Sequence, residues 1–385
     1  MGVMSFSIPR EIYYGENSLQ KLADLKGTKA ALVTGGTSMK RFGFLDQAAK
    51  ILKDGGIESI IIDGVEPNPS VKTVLRGAKA MQEFEPDWVV AIGGGSALDA
   101  AKVMWCFYEH PELKFEDIIE VGSMPALRNK ARFIAIPSTS GTASEITAFS
   151  VITDPDNHIK YPIVAGDMVP DIAILDPALP KKMPAHITAN TGMDVMCHAL
   201  EALASIASTN FTEPYAVRAI ELVSKYLPIA YSDGENLEAR ENMHEASALA
   251  GMAFTNASLG LVHSLAHKIG GEFGVTHGLA NAILLPYIID FNRQFTDRYD
   301  YIEKLLNVKD VAQLVRDLNV KLDIPASFKD CTEVEFKEEK FKEVLERMSK
   351  NAFADPCTLT NPGTPTVDDV KMIYESAFYG TPIKK

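Results

Sequence analysis

Histidine and carboxylate side chains with the spacing of metal ligands are concentrated in one segment of the chain. Asp194 and His198 are four residues apart, so on a helix they share one face. His263 and His267 repeat this spacing, and His277 follows ten residues later. One carboxylate and three imidazoles form a complete ligand set for a divalent transition-metal ion. The spacing therefore indicates a metal site built on helices.

A structural role is the alternative for each of these histidines, because a helical histidine can be satisfied by a backbone carbonyl. The segment nevertheless holds five of the eight histidines of the chain. Small residues surround them, which leaves room for a compact cluster. The set as a whole favours a metal site, whereas for any single histidine the structural alternative stays open.

Two glycine-rich turns follow apolar runs that are typical of buried parallel strands. KAALVT (29–34) leads into GGTS (35–38), and DWVVAI (87–92) leads into GGGS (93–96) and a helix. Glycine lets backbone N–H groups at the positive end of a helix approach a phosphate. Tight turns also use glycine for steric reasons alone, but two such turns together predict a dinucleotide site.

Further polar residues are expected at the same edge of the predicted sheet. The hydroxyl-rich loop from Thr139 to Thr142 follows a third strand, ARFIAIP (131–137). Ligands of open α/β sheets bind at such strand ends. Asp99, three residues after Ser96, fits either a charge in the first turn of the helix or a contact with the ribose or the nicotinamide.

The residues after the first strand bear on the choice of cofactor. NAD-binding proteins commonly place a carboxylate near the adenosine ribose, and this carboxylate repels the 2′-phosphate of NADP. Here the first turn is followed by small, hydroxylic and basic residues that include Lys40 and Arg41, and by no acid. This favours NADP(H) over NAD(H). Asp63, at the end of the second predicted strand, is the opposing candidate for a ribose contact.

Strand-like runs nearly stop at PALPKKMP (177–184), and helical periodicity continues after it. This change predicts two domains. Strands alternating with helices over residues 1–182 are typical of a Rossmann-like, dinucleotide-binding α/β domain. SVITD (150–154), HIKYPIVAG (158–166) and DIAILD (171–176) are expected to complete it, and MSFSIP (4–9) to form an edge strand. Residues 183–385 are predicted to form an all-helical, metal-binding domain. Its first helices are expected at 186–207, 212–230, 237–258, 261–273 and 276–291.

Composition excludes several classes of partner. The formal net charge of −13 argues against nucleic acid and against anionic membranes. No run approaches the roughly 18 to 20 apolar residues of a membrane-spanning helix, and the first residues lack the pattern of an export signal. The four cysteines are scattered, which fits reduced thiols in the cytoplasm.

Four segments together resemble the iron-containing, group III alcohol dehydrogenases: GGGSALDAAK (93–102), PSTSGTASEIT (137–147), TGMDVMCHALEA (191–202) and HSLAHKIGGEFGVTHGLANAILLP (263–286). GGTSMKRFGF (35–44) resembles the NADPH-dependent butanol dehydrogenase branch rather than the lactaldehyde reductase branch, which has an acid after the first strand. The resemblance covers nearly the whole chain. It implies a fold of the dehydroquinate synthase type, with an α/β domain followed by a helical domain.

The resemblance also implies roles for individual residues. Asp194, His198, His263 and His277 are implied as metal ligands, with His267 near the nicotinamide and not on the metal. The position of His267 one turn after His263 separately motivates the hypothesis that it is a catalytic residue that relays a proton. The implied cofactor contacts are Gly36, Ser38, Asn68, Gly94, Gly95, Ser96, Asp99, Thr139, Thr142 and Lys160. Lys160 is the least securely placed of these, because the loop before it varies in length among relatives.

The expected reaction is hydride transfer between NADP(H) and a small primary aliphatic alcohol or aldehyde, with the metal ion as Lewis acid. Imidazole suits Fe(II) and Zn(II) alike; the absence of a cysteine ligand and the resemblance favour Fe(II). One alternative is a lyase of the dehydroquinate synthase type, whose charged substrates require several basic residues. NAD-linked diol or lactaldehyde oxidation and non-catalytic binding are the others. Relatives often form dimers, so a homodimer or larger assembly is expected.

Overall fold

The computed structural model describes residues 5–155 and 159–383. The chain divides into two compact units, Met1–Lys182 and Met183–Lys385. No helix within the described ranges combines the length and the apolar character that crossing a membrane requires.

The first unit contains a parallel sheet of six strands in the order β1-β8-β5-β4-β2-β3. The strands of the unit are β1 (Glu11–Tyr14), β2 (Lys29–Gly35), β3 (Glu58–Val65), β4 (Trp88–Gly93), β5 (Arg132–Pro137), β6 (Phe149–Asp154), β7 (Ile159–Val164) and β8 (Ile172–Leu175). The helices are α1 (Ser38–Arg41), α2 (Phe44–Asp54), α3 (Val71–Phe84) and α4 (Gly95–Glu109). The predicted Rossmann-like α/β architecture is confirmed.

Helices cover both faces of this sheet, which explains why its central strands are continuous apolar runs. Alternate residues of β2 point to opposite faces: Ala31 and Val33 pack with α3 and α4, whereas Ala30 and Leu32 pack with α2. Both sets are fully buried. The sheet is therefore held rigidly from both sides, and the ends of its strands are fixed in position.

The predicted edge strand at MSFSIP (4–9) is wrong. Residues 5–9 form no strand, and position 4 lies outside the described residues. The edge strand is instead Glu11–Tyr14, which pairs in parallel with β8. Pro9 has no N–H to donate to a ladder, and the β-prone residues Ile12 to Tyr14 follow it.

The runs SVITD and HIKYPIVAG do not join the main sheet. They form β6 and β7, an antiparallel pair of their own. The first residue of the second run, at position 158, lies outside the described residues. β3 also differs from its prediction, because it continues to Val65 and leaves Asp63 inside an edge strand rather than at its end.

The second unit is built from α-helices. They are α5 (Ala185–Ala204), α6 (Glu213–Ser232), α7 (Leu237–Ala257), α8 (Leu261–Phe273), α9 (His277–Asn292), α10 (Arg298–Leu306), α11 (Val311–Lys321), α12 (Glu338–Phe353) and α13 (Val367–Tyr379). The predicted helical architecture is confirmed, and most helix ends differ from the prediction by one or two residues. α5 ends earlier, because Ser205 is extended and its hydroxyl donates to the carbonyl of Ala257.

α5 and α9 approach each other very closely at Gly278. A Cβ atom on Gly278 would lie 2.2 Å from the carbonyl oxygen of Asn190, so only glycine fits there. This contact brings the first turn of α9, with His277, against the turn of α5 that precedes Asp194. Backbone packing thus decides where two of the predicted metal ligands lie.

Candidate metal centre and dinucleotide site

Helix α5 carries the first two predicted metal ligands on one buried face. Asp194 and His198 are one turn apart, and His198 Nε2 lies 3.7 Å from Asp194 Oδ1. Their exposed fractions are 3% and 4%. A buried carboxylate without positive charge nearby is strongly unfavourable, so this position calls for a cation or for protonated neighbours.

Two further predicted ligands reach the same carboxylate oxygen from other helices. His263 on α8 places Nε2 3.7 Å from Asp194 Oδ1, and His277 at the start of α9 places Nε2 3.6 Å from it. Ligand atoms of Asp194, His263 and His277 all lie within 4.8 Å of one another. His198 falls outside this mutual limit, although its ring stacks on His263 at 4.7 Å.

These separations fit a shared ion. Two ligands of one tetrahedral ion lie about 3.4 Å apart when each is about 2.1 Å from the ion. The three distances from Asp194 Oδ1 to imidazole nitrogens are 3.6, 3.7 and 3.7 Å. One carboxylate and three imidazoles form a donor set that suits Fe(II) or Zn(II). The structure therefore brings the three predicted imidazole ligands to within 3.7 Å of Asp194 Oδ1, although His198 does not belong to the mutually close group.

Two polar residues beside this cluster were missed by the sequence analysis. The buried amide of Asn281 donates to Asp194 Oδ1 at 2.7 Å, and the same nitrogen lies 3.1 Å from His277 Nε2. Glu201 Oε2 lies 2.5 Å from His263 Nδ1. Helical spacing offered a signal for both, since Asn281 is one turn after His277 and Glu201 is two turns after Asp194.

The electrostatics of the cluster favour positive charge beside Asp194. Burial alone would raise the pKa of the Asp194 carboxyl, but His198, His277 and His263 outweigh burial and hold it well below its usual range. For His263, burial opposes protonation, yet the carboxylates of Glu201 and Asp194 raise its pKa to about 9. The two buried carboxylates thus demand a compensating charge, which a divalent cation can provide.

His267, the predicted catalytic histidine, lies on α8 one turn after His263. It does not belong to the group formed by Asp194, His263 and His277. Its Nδ1 lies 3.3 Å from Asp355 Oδ2, and its ring stacks on His277 at 5.4 Å. About a third of its side chain is exposed (36%). The ring therefore borders the metal centre and remains accessible.

His267 belongs to a second group of possible metal ligands, with Asp355 and Cys357. Here the chain supplies its own cation, because Lys268 Nζ donates to Asp355 Oδ2 at 2.7 Å. Burial would raise the pKa of Asp355, but His267 and Lys268 hold it well below its usual range. We therefore interpret this second group as a support for His267 rather than as a metal site.

In the first unit, the predicted dinucleotide residues collect at neighbouring strand ends. β2, β4 and β5 are adjacent, and Gly93 at the end of β4 is in register with Pro137 of β5. Gly94 caps α4, which begins at Gly95. A Cβ atom on Gly95 would lie 2.7 Å from the side chain of Thr142, so this close approach requires glycine.

The first glycine turn is followed by two helices. The helix that follows it, α1, has only four residues, and the longer α2 begins at Phe44. Gly36 has a positive φ of 57°, and a Cβ atom there would meet nothing within 4 Å. The turn thus leaves open space at Gly36, and Ser38 begins the short α1, which offers no long helix dipole.

The other predicted cofactor residues fall into two arrangements. Asn68 and Lys160, far apart in sequence, are in contact, with Lys160 Nζ donating to Asn68 Oδ1 at 2.7 Å; burial lowers the pKa of Lys160. Asp99 already accepts from Ser144 Oγ at 2.6 Å and from the amide of Val151 at 3.0 Å. Asp99 therefore has a structural role whether or not it also contacts a cofactor.

Comparisons with known families match both units. The model of the iron-containing alcohol dehydrogenase family matches residues 9–177, and the model of the C-terminal region of the Fe-containing alcohol dehydrogenase family matches residues 188–378.

Individual relatives match over nearly the whole chain. The NADPH-dependent butanol dehydrogenase of Clostridium saccharobutylicum is 50% identical, over 99% of this chain and 100% of the relative. The alcohol dehydrogenase of Thermococcus barophilus is 39% identical, over 97% of this chain and 99% of the relative. The solved structure of the iron-containing alcohol dehydrogenase of Thermococcus thioreducens is 36% identical and has a TM-score of 0.90, covering 98% of this chain and 100% of that chain.

Proposed function

The chain belongs to the iron-containing alcohol dehydrogenase family, and on this premise we propose that it transfers a hydride between NADP(H) and small primary aliphatic alcohols or aldehydes. The observation that carries the proposal is the convergence of three imidazole nitrogens on Asp194 Oδ1, at 3.6 to 3.7 Å. The physiological reaction is proposed to use a substrate of the butanol type.

We propose Asp194, His198, His263 and His277 as the ligands of Fe(II), with Zn(II) as the alternative ion. When bound, the ion acts as a Lewis acid that polarises the oxygen of the substrate. Asp194 supplies the negative charge of the site, and Asn281 fixes its carboxylate by donating to Oδ1 at 2.7 Å. Helices α5, α8 and α9 each contribute to this set: α5 carries Asp194 and His198, α8 carries His263, and α9 begins with His277.

The residues around the centre support an uncharged substrate. Phe254, an apolar side chain that is almost fully buried, stacks on the ring of His198 at 4.3 Å. An aliphatic chain can pack against such a side chain, whereas a phosphate or carboxylate would lose its hydration without gaining a partner. This favours alcohols and aldehydes over the charged substrates of a dehydroquinate-synthase-like lyase.

NADP(H) is the proposed cofactor, bound by the first unit as its dinucleotide-binding domain. When bound, the cofactor would supply the nicotinamide that carries the hydride. Gly36 is exposed, with open space where a side chain would be, and Lys40 and Arg41 follow on α1 and are exposed. These cations can meet a 2′-phosphate. A relative that is 50% identical carries NADPH in its name.

His267 is proposed to relay the proton. Asp355 lies at its Nδ1, so the other nitrogen, Nε2, is the one left to exchange a proton. We expect His267→Ala to lower kcat by about 100-fold and to change the pH–rate profile while iron content is maintained. Unchanged turnover and an unchanged profile would remove His267 from the mechanism.

The direct test of the reaction uses anaerobically prepared protein loaded with Fe(II). Butanal should cause oxidation of NADPH, followed by its absorbance, and kcat/KM with NADPH should exceed that with NADH by at least about tenfold. A preference for NADH would indicate NAD-linked diol or lactaldehyde oxidation. No turnover with any aldehyde would contradict the proposal and favour the lyase or a binding role.

We further propose that the protein is a cytoplasmic homodimer or larger assembly. All four cysteines are free, which fits a reducing compartment. β1 lies at an edge of the six-stranded sheet, where a second chain could pair. Light scattering should give at least twice the chain mass of 42.1 kDa; a monomer mass would exclude this assembly.

A further inference from the structure

We propose that Glu201 is a positioning residue that fixes His263 in the tautomer needed to bind the metal ion. The proposal rests on the metal centre described above, and it concerns a residue outside the ligand set. Glu201 contacts His263 across 62 positions of sequence, from α5 to α8.

The geometry places the two nitrogens of His263 against two different carboxylates. Nδ1 lies 2.5 Å from Glu201 Oε2, and Nε2 lies 3.7 Å from Asp194 Oδ1. Glu201 as a carboxylate can only accept hydrogen bonds, so Nδ1 must carry the proton. The lone pair of a neutral ring is then on Nε2, which is the nitrogen that faces Asp194. Metal-binding histidines are commonly oriented in this way by a carboxylate at the other nitrogen.

A second contact prevents Glu201 from turning away. Oε1 accepts from the amide of Val262 at 2.6 Å, which satisfies one of the free N–H groups at the start of α8. The two oxygens of one carboxylate therefore hold the first turn of α8 and the imidazole of its third residue together. Glu201 and His263 are 7% and 2% exposed, so water does not compete strongly for either contact.

This arrangement makes Glu201→Gln an informative variant. The amide of Val262 still requires an acceptor, so the glutamine oxygen must replace Oε1. The glutamine NH₂ then faces His263 Nδ1 and donates to it, which moves the ring proton to Nε2. A protonated Nε2 cannot bind a metal ion. The variant thus preserves size and the helix contact while reversing the tautomer.

Glu333→Gln is a matched control. Glu333 Oε1 accepts from the amide of Thr276 at 2.6 Å, and Oε2 accepts from its hydroxyl at 2.9 Å. Glu333 therefore satisfies the start of α9, directly before His277, and its carboxylate contacts Thr276 rather than an imidazole. A loss of metal affinity that came only from weakening a helix start would appear in this variant as well.

The experiment is a Zn²⁺ titration of the full chain stripped of metal, in competition with a chelator. We expect Glu201→Gln to weaken Zn²⁺ binding by about 10- to 100-fold, and Glu333→Gln to bind like the wild type. His263→Ala serves as the reference and should bind still more weakly. If His263→Ala binds normally, the metal centre itself is assigned wrongly. If it binds weakly while Glu201→Gln binds like the wild type, only the role of Glu201 is overturned.

A measurement on the wild type tests the tautomer without any risk of misfolding. In Zn²⁺-loaded protein with ¹⁵N-labelled histidine, long-range ¹H–¹⁵N spectra distinguish a protonated Nδ1 from a protonated Nε2. The signals of His263 are those that disappear in His263→Ala. We expect a protonated Nδ1 and a metal-bound Nε2. A metal-bound Nδ1 would contradict the proposal.

Discussion

Both units bury carboxylates, but they balance the negative charge in different ways. In the helical unit, Asp194 is surrounded by imidazoles, which can be neutral. In the α/β unit, burial raises the pKa of Asp99 and Glu145, and Lys102, a fully buried cation supplied by the chain, opposes this rise. The first arrangement leaves a place for an external cation, and the second does not. A buried carboxylate alone therefore does not identify a metal site; its partners do.

The second arrangement has a structural consequence. Lys102 Nζ donates to the carbonyls of Thr147 and Phe149, at 2.7 and 2.9 Å. Asp99, on the preceding turn of α4, holds Ser144 and Val151. The charges of α4 thus anchor the segment that follows Thr142. In this unit buried charge supports the backbone, whereas in the helical unit it forms the proposed site.

The largest effect is expected for Asp194→Asn, which removes the one carboxylate of the proposed ligand set. We expect the variant to lose stoichiometric iron and at least about a thousandfold of kcat/KM, with the helical fold retained. Metal analysis, kinetics and circular dichroism check this. Asp290→Asn, in the same unit and paired with Arg316, should keep its iron. Full iron content in Asp194→Asn would show that the ion does not require the Asp194 carboxylate.

The corresponding variant in the α/β unit is Lys102→Met, which should affect stability rather than metal binding. Asp99 and Glu145 would lose a nearby cation, and the carbonyls of Thr147 and Phe149 would lose their donor; leaving a buried acceptor unsatisfied costs about 1–3 kcal/mol. Denaturant unfolding measures this loss, with the exposed Lys72→Met as control. Iron bound per folded chain should be unchanged. A variant as stable as the wild type would show that Lys102 does not balance these carboxylates.

The buried carboxyl of Glu145 should also make the stability of the protein depend on pH. Burial raises the pKa of Glu145 to about 7, from an ordinary value of 4.5. The folded state then binds more protons than the unfolded state between these values, so stability from this group falls as pH rises through that window. Glu145→Gln stays neutral and should gain up to about 3 kcal/mol relative to the wild type between pH 4.5 and 7. A difference that is constant with pH would contradict this.

The smallest effect is expected at the glycine turn. Gly95→Ala places a methyl group against Thr142, and overpacking of this kind costs about 1–3 kcal/mol. We expect KM for NADPH to rise about tenfold while iron content is unchanged. Gly166→Ala is the control, because a Cβ atom there meets nothing within 4 Å. Equal KM values for both variants would show that this turn does not bind the cofactor.

The two architectures and the family could be predicted from the sequence, because hydrophobic periodicity and motifs do not depend on knowing which helices and strands pack together. Asp194 and His198 could be paired from helical spacing alone, and their role as ligands stays a prediction. The edge strand was misplaced because Pro9 interrupts the apolar run chosen for it. The end of β3 was misplaced because edge-strand pairing continues past Asp63.

Other contacts could not be predicted because they depend on how helices pack. Glu201 meets His263, and Asp355 meets His267, across 62 and 88 positions of sequence. Helical spacing places Glu201 on the same face of α5 as Asp194, but it does not show which residue of another helix a side chain contacts. The approach of α9 to α5 at Gly278 likewise becomes visible only when both helices are placed.

The most direct test of the central claim is a crystal structure of the Fe(II)-loaded protein with anomalous data at the iron edge. We expect one iron peak per chain, with Asp194 Oδ1 and the Nε2 atoms of His198, His263 and His277 all about 2.0–2.3 Å from it. An iron peak at His267, Asp355 and Cys357, or no peak near Asp194, would contradict the proposed ligand set.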